Sequence, residues 1–209
     1  MDHGSVWGHG SLRGPDFSAV TLHMMGEVMR DYYASGGNYN EDAFEEAPES
    51  RQNAIEARVK KEIHNNTYDP DTGTIRLNEA QAFALEKIRN HWESELGAGS
   101  PRYGFLKNTV STSAERKDIA DFFFWTAWAA GTDRPGKNFS YTNNWPPDRS
   151  VGNSPTTNTV FWSVISILAL FVVLGIVVYV VHRYGFFYGF PLYLFLNGVL
   201  IFGDVHIST

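Results

Sequence analysis

From residue 17 onward, apolar side chains return on a helical beat. Val20, Met24 and Val28 recur at i, i+4 and i+8, and Leu22, Met25 and Met29 widen the stripe. The spacing predicts a helix over 17–34, entered from Pro15-Asp16 and stopped by Gly36-Gly37. A second helix is expected over about 48–64. Pro48 sits near its first turn, Glu49 suits the helix dipole, and Ile55, Val59 and Ile63 form one narrow apolar stripe. The run "NTYDPDTGTIRL" (66–77) reads as a short hairpin, with Asp-Pro-Asp-Thr-Gly as the turn and Thr74-Ile75-Arg76-Leu77 as a strand. Asn78 and Gln81 then make a capping box for a third helix, whose buried face is Leu85, Ile88, Trp92 and Leu96 and whose stop is Gly97. A fourth helix starts near Thr112-Ser113, with Thr112 and Glu115 as another capping box. It runs to Ala130, with Gly131 as its C-terminal cap. Its second half, "FFFWTAWAA" (122–130), lacks a polar face, so it is buried all round or lies against something apolar.

The pattern changes character after a loop, "SYTNNWPPDRSVGN" (140–153), too rich in proline and asparagine for helix or strand. Val160 to Val181 carries no charge at all. As a helix it would extend roughly 33 Å, enough for a hydrocarbon core of about 30 Å, and it reads as a transmembrane span. His182-Arg183 follows, placing the C-terminal side in the cytoplasm and residues 1–157 in the opposite compartment. No export signal precedes those residues. The chain is therefore either tail-anchored from the cytosol or a fragment whose signal-anchor lies upstream. Three regions are expected: a domain over 1–157, the membrane helix over 158–183, and an apolar tail over 184–209. The tail is either a weak second span interrupted by Pro191 or an aberrant ending.

Composition sharpens this division. Beyond residue 158 the only formal charges are Arg183 and Asp204, so the net charge of −6 resides in the first region. An acidic surface disfavours nucleic acid, whose binding rests on Lys and Arg neutralising phosphates. There is no cysteine. Disulfides, thiolate zinc sites, iron–sulfur clusters and covalently attached c-type haem are thereby excluded.

Few residues suggest chemistry on their own. His3 and His9 sit in the Gly-rich opening loop and His23 in the first helix, without spaced acidic partners, which favours hydrogen bonding over metal ligation. Asp69, Asp71 and Glu79 echo a calcium loop, but the glycine and the final glutamate each fall one position early, so a hairpin turn is the better reading. The aromatic run Phe122–Trp128 reads as core, with stacking on a flat cofactor as the alternative. No nucleophile triad, phosphate loop or paired-carboxylate site emerges from spacing.

Two blocks of sequence carry a resemblance. "FFFWTAWAAGTDRPGKNFSYTNNWPPDRSVGNSPT" (122–156) is similar to the region before the second transmembrane helix of quinol-dependent nitric oxide reductases, in the haem-copper oxidase superfamily. "GSVWGHGSLRGPDFSAVTLH" (4–23) resembles the start of the same family's extramembrane domain, and the likeness spans about residues 4–187. The resemblance implies a mainly α, haem-free, cytochrome-c-like domain with a short hairpin, followed by one transmembrane helix. Bulky aromatics such as those at 122–128 would fill the space of the lost haem.

The full family enzyme takes electrons from quinol and reduces two NO to N2O, a step of denitrification. Its cofactors are haem b, non-haem iron and calcium, held in part by histidines in later membrane helices that this sequence does not contain. No catalytic or cofactor-binding residue is therefore assigned here, and this chain is not expected to be catalytic by itself. One metal site carries over as an expectation: Gly8-His9-Gly10-Ser11-Leu12 aligns with a loop whose carbonyls bind calcium, giving the carbonyls of Gly10 and Leu12. The expected partners are membrane lipid and the remaining transmembrane core of the reductase, with no nucleic acid. The expected place is a bacterial inner membrane, with the domain on the periplasmic or outer face. The loop Tyr141–Asn153 would be a rigid lead-in: Pro146 and Pro147 restrict the backbone, the asparagines satisfy it, and Trp145 suits the membrane interface. The alternative is a free-standing, membrane-anchored binding or assembly protein.

Overall fold

Asp16 starts the first helix by a local device. Its carboxylate accepts the N–H of Ala19 at 2.9 Å, which satisfies one of the donors that every helix start exposes. The computed structural model describes residues 3–10 and 13–185. In it α1 spans Phe17–Ala34, α2 Glu49–His64, α3 Glu79–Ala98 and α4 Ser113–Gly131. Two two-stranded antiparallel hairpins interrupt them, β1 (Ser5–Val6) with β2 (His9–Gly10), and β3 (Tyr68–Asp69) with β4 (Thr74–Ile75). The chain divides into two compact units between Thr156 and Thr157.

In the first unit α1, α3 and α4 pack on one another and α2 lies against α1. The centre is aromatic. Phe17 of α1 stacks on Phe123 of α4 at 4.3 Å between ring centroids, and Trp92 of α3 meets both edge-on, at 5.5 and 5.1 Å. Phe105 closes on Phe17 from the loop after α3. The Trp92 indole N–H donates to the Thr21 hydroxyl at 3.0 Å, so even the deepest ring has its polar atom paired.

Several expectations need rotation or shifting. On α1 the sealed stripe is Leu22, Met25 and Met29, whereas Val20 and Met24 are only half-buried, because α3 and α4 approach from the Leu22 side. On α3 the buried row is Ala84, Ile88, Trp92 and Leu96, a strict i+4 line that leaves Leu85 at its edge. The capping box there is complete: Asn78 accepts the Gln81 N–H at 2.8 Å and Gln81 accepts the Asn78 N–H at 3.1 Å. At α4 it is only half formed, since the Glu115 carboxylate takes the Thr112 hydroxyl at 2.7 Å instead of the backbone N–H.

Two glycines expected as helix stops do other work. Helix α3 continues through Gly97 and ends at Gly99, whose φ of +86° is one that glycine adopts without strain. Gly131 lies inside α4, where a Cβ would come within 2.7 Å of Ile63 and 3.2 Å of Leu22. Its purpose is close approach of α4 to α2 and α1, and Thr132 is the cap. The strand expected over Thr74–Leu77 is shorter, Thr74–Ile75.

The second unit is described by α5, Thr157–Val180, continued by a π-helical turn over Val181–Gly185. Within Thr157–Arg183 the most apolar 18-residue stretch has a mean hydropathy of 3.1, and no side chain of the helix is buried by the protein. By length and composition it is a candidate membrane span. Its polar side chains bond inward: Ser163 donates to the Thr159 carbonyl at 2.8 Å and Ser166 to the Trp162 carbonyl at 2.7 Å. That leaves little unpaired polarity on an apolar rod. The tail over 189–209, with its expected second span or aberrant ending, lies outside the described residues.

Candidate docking face and neck

The opening loop folds into the β1–β2 hairpin, closed by Trp7 and Gly8. Both have positive φ, 54° and 74°, the signature of a type I′ turn, which Gly8 takes at no cost. Trp7 is held in place by two donations, its backbone N–H to the Ser18 hydroxyl at 2.9 Å and its indole N–H to the Thr126 carbonyl at 2.8 Å. Asp16 gathers the rest. Besides Ala19 it accepts the Gly8 N–H at 2.6 Å, the Ser5 hydroxyl at 2.9 Å and the Ser18 hydroxyl. Burial pushes the Asp16 carboxyl up, but these bonds outweigh it and hold the group below the usual carboxylate range.

This hairpin brings together aromatics from three segments. Trp7 lies 5.8 Å from Trp125 of α4, and Phe122 lies 6.1 Å from Trp125 in a stacked arrangement. A Cβ on Gly8 would fall 2.9 Å from the indole nitrogen of Trp145, so the bare glycine lets Trp145 rest on the turn. Phe122, Trp125 and Trp145 remain 44, 45 and 43 % exposed, large apolar surfaces that the first unit leaves uncovered. The run 122–128 is therefore split: Phe123, Phe124, Ala127 and Trp128 are core, while Phe122 and Trp125 face out.

The loop from Ser140 to Asn153 forms a braced neck. Asn144 is buried, accepting the Ser140 N–H at 2.8 Å and donating to the Ser154 carbonyl at 2.9 Å. Asn153, fully buried, donates from its amide to the Pro146 carbonyl at 2.6 Å. The Trp145–Pro146 peptide is cis. Asp148 and Asn153 pair through both backbone N–H groups at 2.7 and 2.8 Å, closing a loop around the 3-10 turn Arg149–Val151. Val151 is sealed against α1 at Gly26, where a Cβ would collide with it. His64 approaches the Val151 carbonyl at 3.2 Å and the Asp133 carboxylate at 3.0 Å.

The other sequence candidates do not converge. His3 and His9 are exposed, while His23 bonds Asp148 at 2.9 Å and Glu27 at 3.2 Å. Asp69 is occupied by its own turn, accepting the Asp71 N–H at 3.0 Å and Arg76 at 2.8 Å. Among the described residues no group of three or more His, Asp or Glu side chains is arranged to hold a metal. Gly10 is exposed at the end of β2, opposite Ser5 in register, and Leu12 lies outside the described residues. Sequence reasoning missed Trp7, Gly26 and His64, because each owes its role to a partner distant in the chain.

The chain is a helical module with an aromatic centre and an uncovered aromatic face, followed by a helix long and apolar enough to cross a membrane. The family of NorB cytochrome c-like domains, from nitric oxide reductase, matches residues 1–147, and the chain belongs to that family. The match ends in the neck, ahead of α5. No curated protein matches the chain.

A cytochrome-c-like fold raises the question of haem, and these residues do not fit it. There is no thiol for attachment, and the space among α1, α3 and α4 is taken by Phe17, Trp92, Phe105 and Phe123 in van der Waals contact. No electron-transfer step is assigned to this unit.

Proposed function

We propose that this chain is the N-terminal portion of a membrane nitric oxide reductase, serving as a structural cap and membrane anchor for the transmembrane core that carries catalysis. The reading rests on the family membership together with one structural observation. Three large aromatics, Phe122, Trp125 and Trp145, stand exposed beside Trp7 on the domain whose chain passes through a braced neck into α5. Exposed apolar patches of this kind mark interaction surfaces, and aromatic anchors carry most of the energy of such contacts. The partners are membrane lipid and the rest of the reductase, which would use quinol electrons. The site is a bacterial inner membrane with the domain on the periplasmic or outer side.

The test is made in the full-length reductase. Replacing Trp125 and Trp145 together by serine should leave the helical domain folded, because neither belongs to the buried core cluster. Assembly should weaken by about 2 kcal/mol or more, some thirtyfold, seen as loss of the intact enzyme on gel filtration and of NO consumption. Full assembly and activity in that variant would remove the docking role.

The same proposal includes calcium. In a two-residue hairpin the pair next to the turn exchanges the ladder bonds, so the following pair, Ser5 and Gly10, points its carbonyls outward. The Gly10 carbonyl, with that of Leu12, would serve as a hard oxygen ligand. Gly10→Ala would distort the loop, since φ is +144° and the new Cβ would meet the Gly4 carbonyl at 2.8 Å. Metal analysis of the full enzyme should then show calcium lost. Retention of calcium would exclude this loop as a ligand.

A further inference from the structure

Two histidines from different helices bond to the neck. His64, at the C-terminal end of α2, directs Nδ1 to the Asp133 carboxylate at 3.0 Å and Nε2 to the Val151 carbonyl at 3.2 Å. His23, in α1, directs Nδ1 to the Asp148 carboxylate at 2.9 Å and Nε2 to the Glu27 carboxylate at 3.2 Å. Every one of these partners is an acceptor. A neutral imidazole has one N–H and one lone pair, so it can make one of its two bonds, and the other becomes lone pair against lone pair. Both bonds of each ring form together only in the doubly protonated state.

We propose that His64, assisted by His23, is a proton-dependent clasp that fastens the neck segment Asp148–Asn153 to the helical domain. With both rings protonated, Val151 is held through its carbonyl while its side chain fills the notch at Gly26. Loss of a proton from His64 releases either Val151 or Asp133, and loss from His23 releases either Asp148 or Glu27.

The surrounding charges are mixed. Around His64 the cleft carries Asp133 from the segment after α4 and Arg58, Lys61 and Glu62 from α2, and the Lys60 side chain passes within 3.3 Å of where a Cβ on Gly152 would stand. Around His23 it carries Glu27 of α1, Asp148 and Arg149 of the neck, and His91 and Arg102 from α3 and the loop beyond it. His64 is the stronger member, with 22 % of its side chain exposed against 52 % for His23. The consequence for orientation rests on the cap reading, in which the neck sets how the domain is carried. The clasp itself does not.

Hydrogen exchange tests it on the full chain in detergent micelles. The Asn153 N–H bonds the Asp148 carbonyl at 2.8 Å inside the clasped segment and is the reporter. After correction for intrinsic rates, its exchange should be about five- to tenfold slower at about pH 5.5 than at about pH 8, either side of the range where histidine titrates. In His64→Gln, which keeps an amide donor for Asp133 but cannot titrate, the ratio should fall to less than about half its wild-type value, the remainder being that of His23, while His91→Gln should keep it. Should His64→Gln lose protection at both pH values, nitrogen NMR of the wild-type imidazole decides: the protection step must coincide with His64 passing from doubly to singly protonated. An unchanged ratio in His64→Gln, or a protected neck around a singly protonated His64, overturns the proposal. This readout uses the chain by itself, so it can fail while the assembly test succeeds, and the reverse.

Discussion

Two stretches of this molecule have no polar face, the second half of α4 and α5 from Val160 onward, and they end in opposite surroundings. In α4, Phe123, Phe124, Ala127 and Trp128 are sealed by α1, α2 and α3, and only Phe122 and Trp125 reach the surface. In α5 no side chain between Thr157 and Val180 is covered by protein. A uniform apolar surface thus says that water is excluded but not by what. The difference lies in what flanks it. The first half of α4, "SAERKDIAD", is charged and its apolar half is too short to cross a bilayer, so protein must cover it. Uncharged α5 is long enough for lipid to do so.

The sharpest way to break this comparison is to place the same charge in both. Ala127→Asp puts a carboxylate at a fully buried position of α4, inside the apolar core. An uncompensated buried charge costs about 3–5 kcal/mol, a large part of an ordinary domain's stability of about 5–15 kcal/mol. The first unit should lose its near-UV circular dichroism while α5 still resists alkaline extraction from membranes. Leu168→Asp should do the reverse, at about 2.5–3.5 kcal/mol against insertion, and leave the thermal transition of the helical unit unmoved. If Leu168→Asp unfolded the helical unit, or Ala127→Asp were silent, the two stretches would not be covered as described.

What could be read in the sequence follows from how local each cause is. The capping box of α3 joins residues three apart, the narrow stripe of α2 lies within one helix, and the asparagines of the neck bond within it, so all were legible. Glycine roles were not. Gly97 and Gly131 look like stops because a helix end and a close approach call for the same residue. Only the presence of Arg116 beside Gly97, or of Ile63 and Leu22 beside Gly131, distinguishes them. The functional surface divides the same way. Trp145 and the 122–128 run stood out by type, but the side of α4 that faces outward could not be phased, because an all-apolar helix has no periodicity. His23 looked to have no acidic partner although Glu27 lies one turn on, and its neck partner Asp148 is 125 residues away. His64 did not stand out, its partner Val151 being 87 residues away.

A gentler perturbation separates the two regions by charge, since α5 between Thr157 and Val180 has no carboxylate to titrate. In the helical unit Asp16 and Asp148 are both held below the usual carboxylate range. In each, burial raises the pKa but is outweighed, at Asp16 by the bonds from Ser18, Ala19, Gly8 and Ser5, and at Asp148 by Ser150 and His23. The unfolded chain, with ordinary carboxylates near about 3.9, therefore takes up protons first as the pH falls. Their contribution to stability is complete above that range and is lost as the pH drops through the lower folded values. His91 adds a loss of the same sign that starts higher, below about pH 6.5, because burial lowers its imidazole and the folded unit resists protonating it. Thermal melts in detergent should show the midpoint of the helical unit falling below about pH 4 while the helicity of α5 holds. Asp16→Asn, which keeps an acceptor for Ala19 but cannot ionise, should flatten the steepest part of that acid limb, and an unaltered limb would mean that Asp16 is not what ties the hairpin to α1.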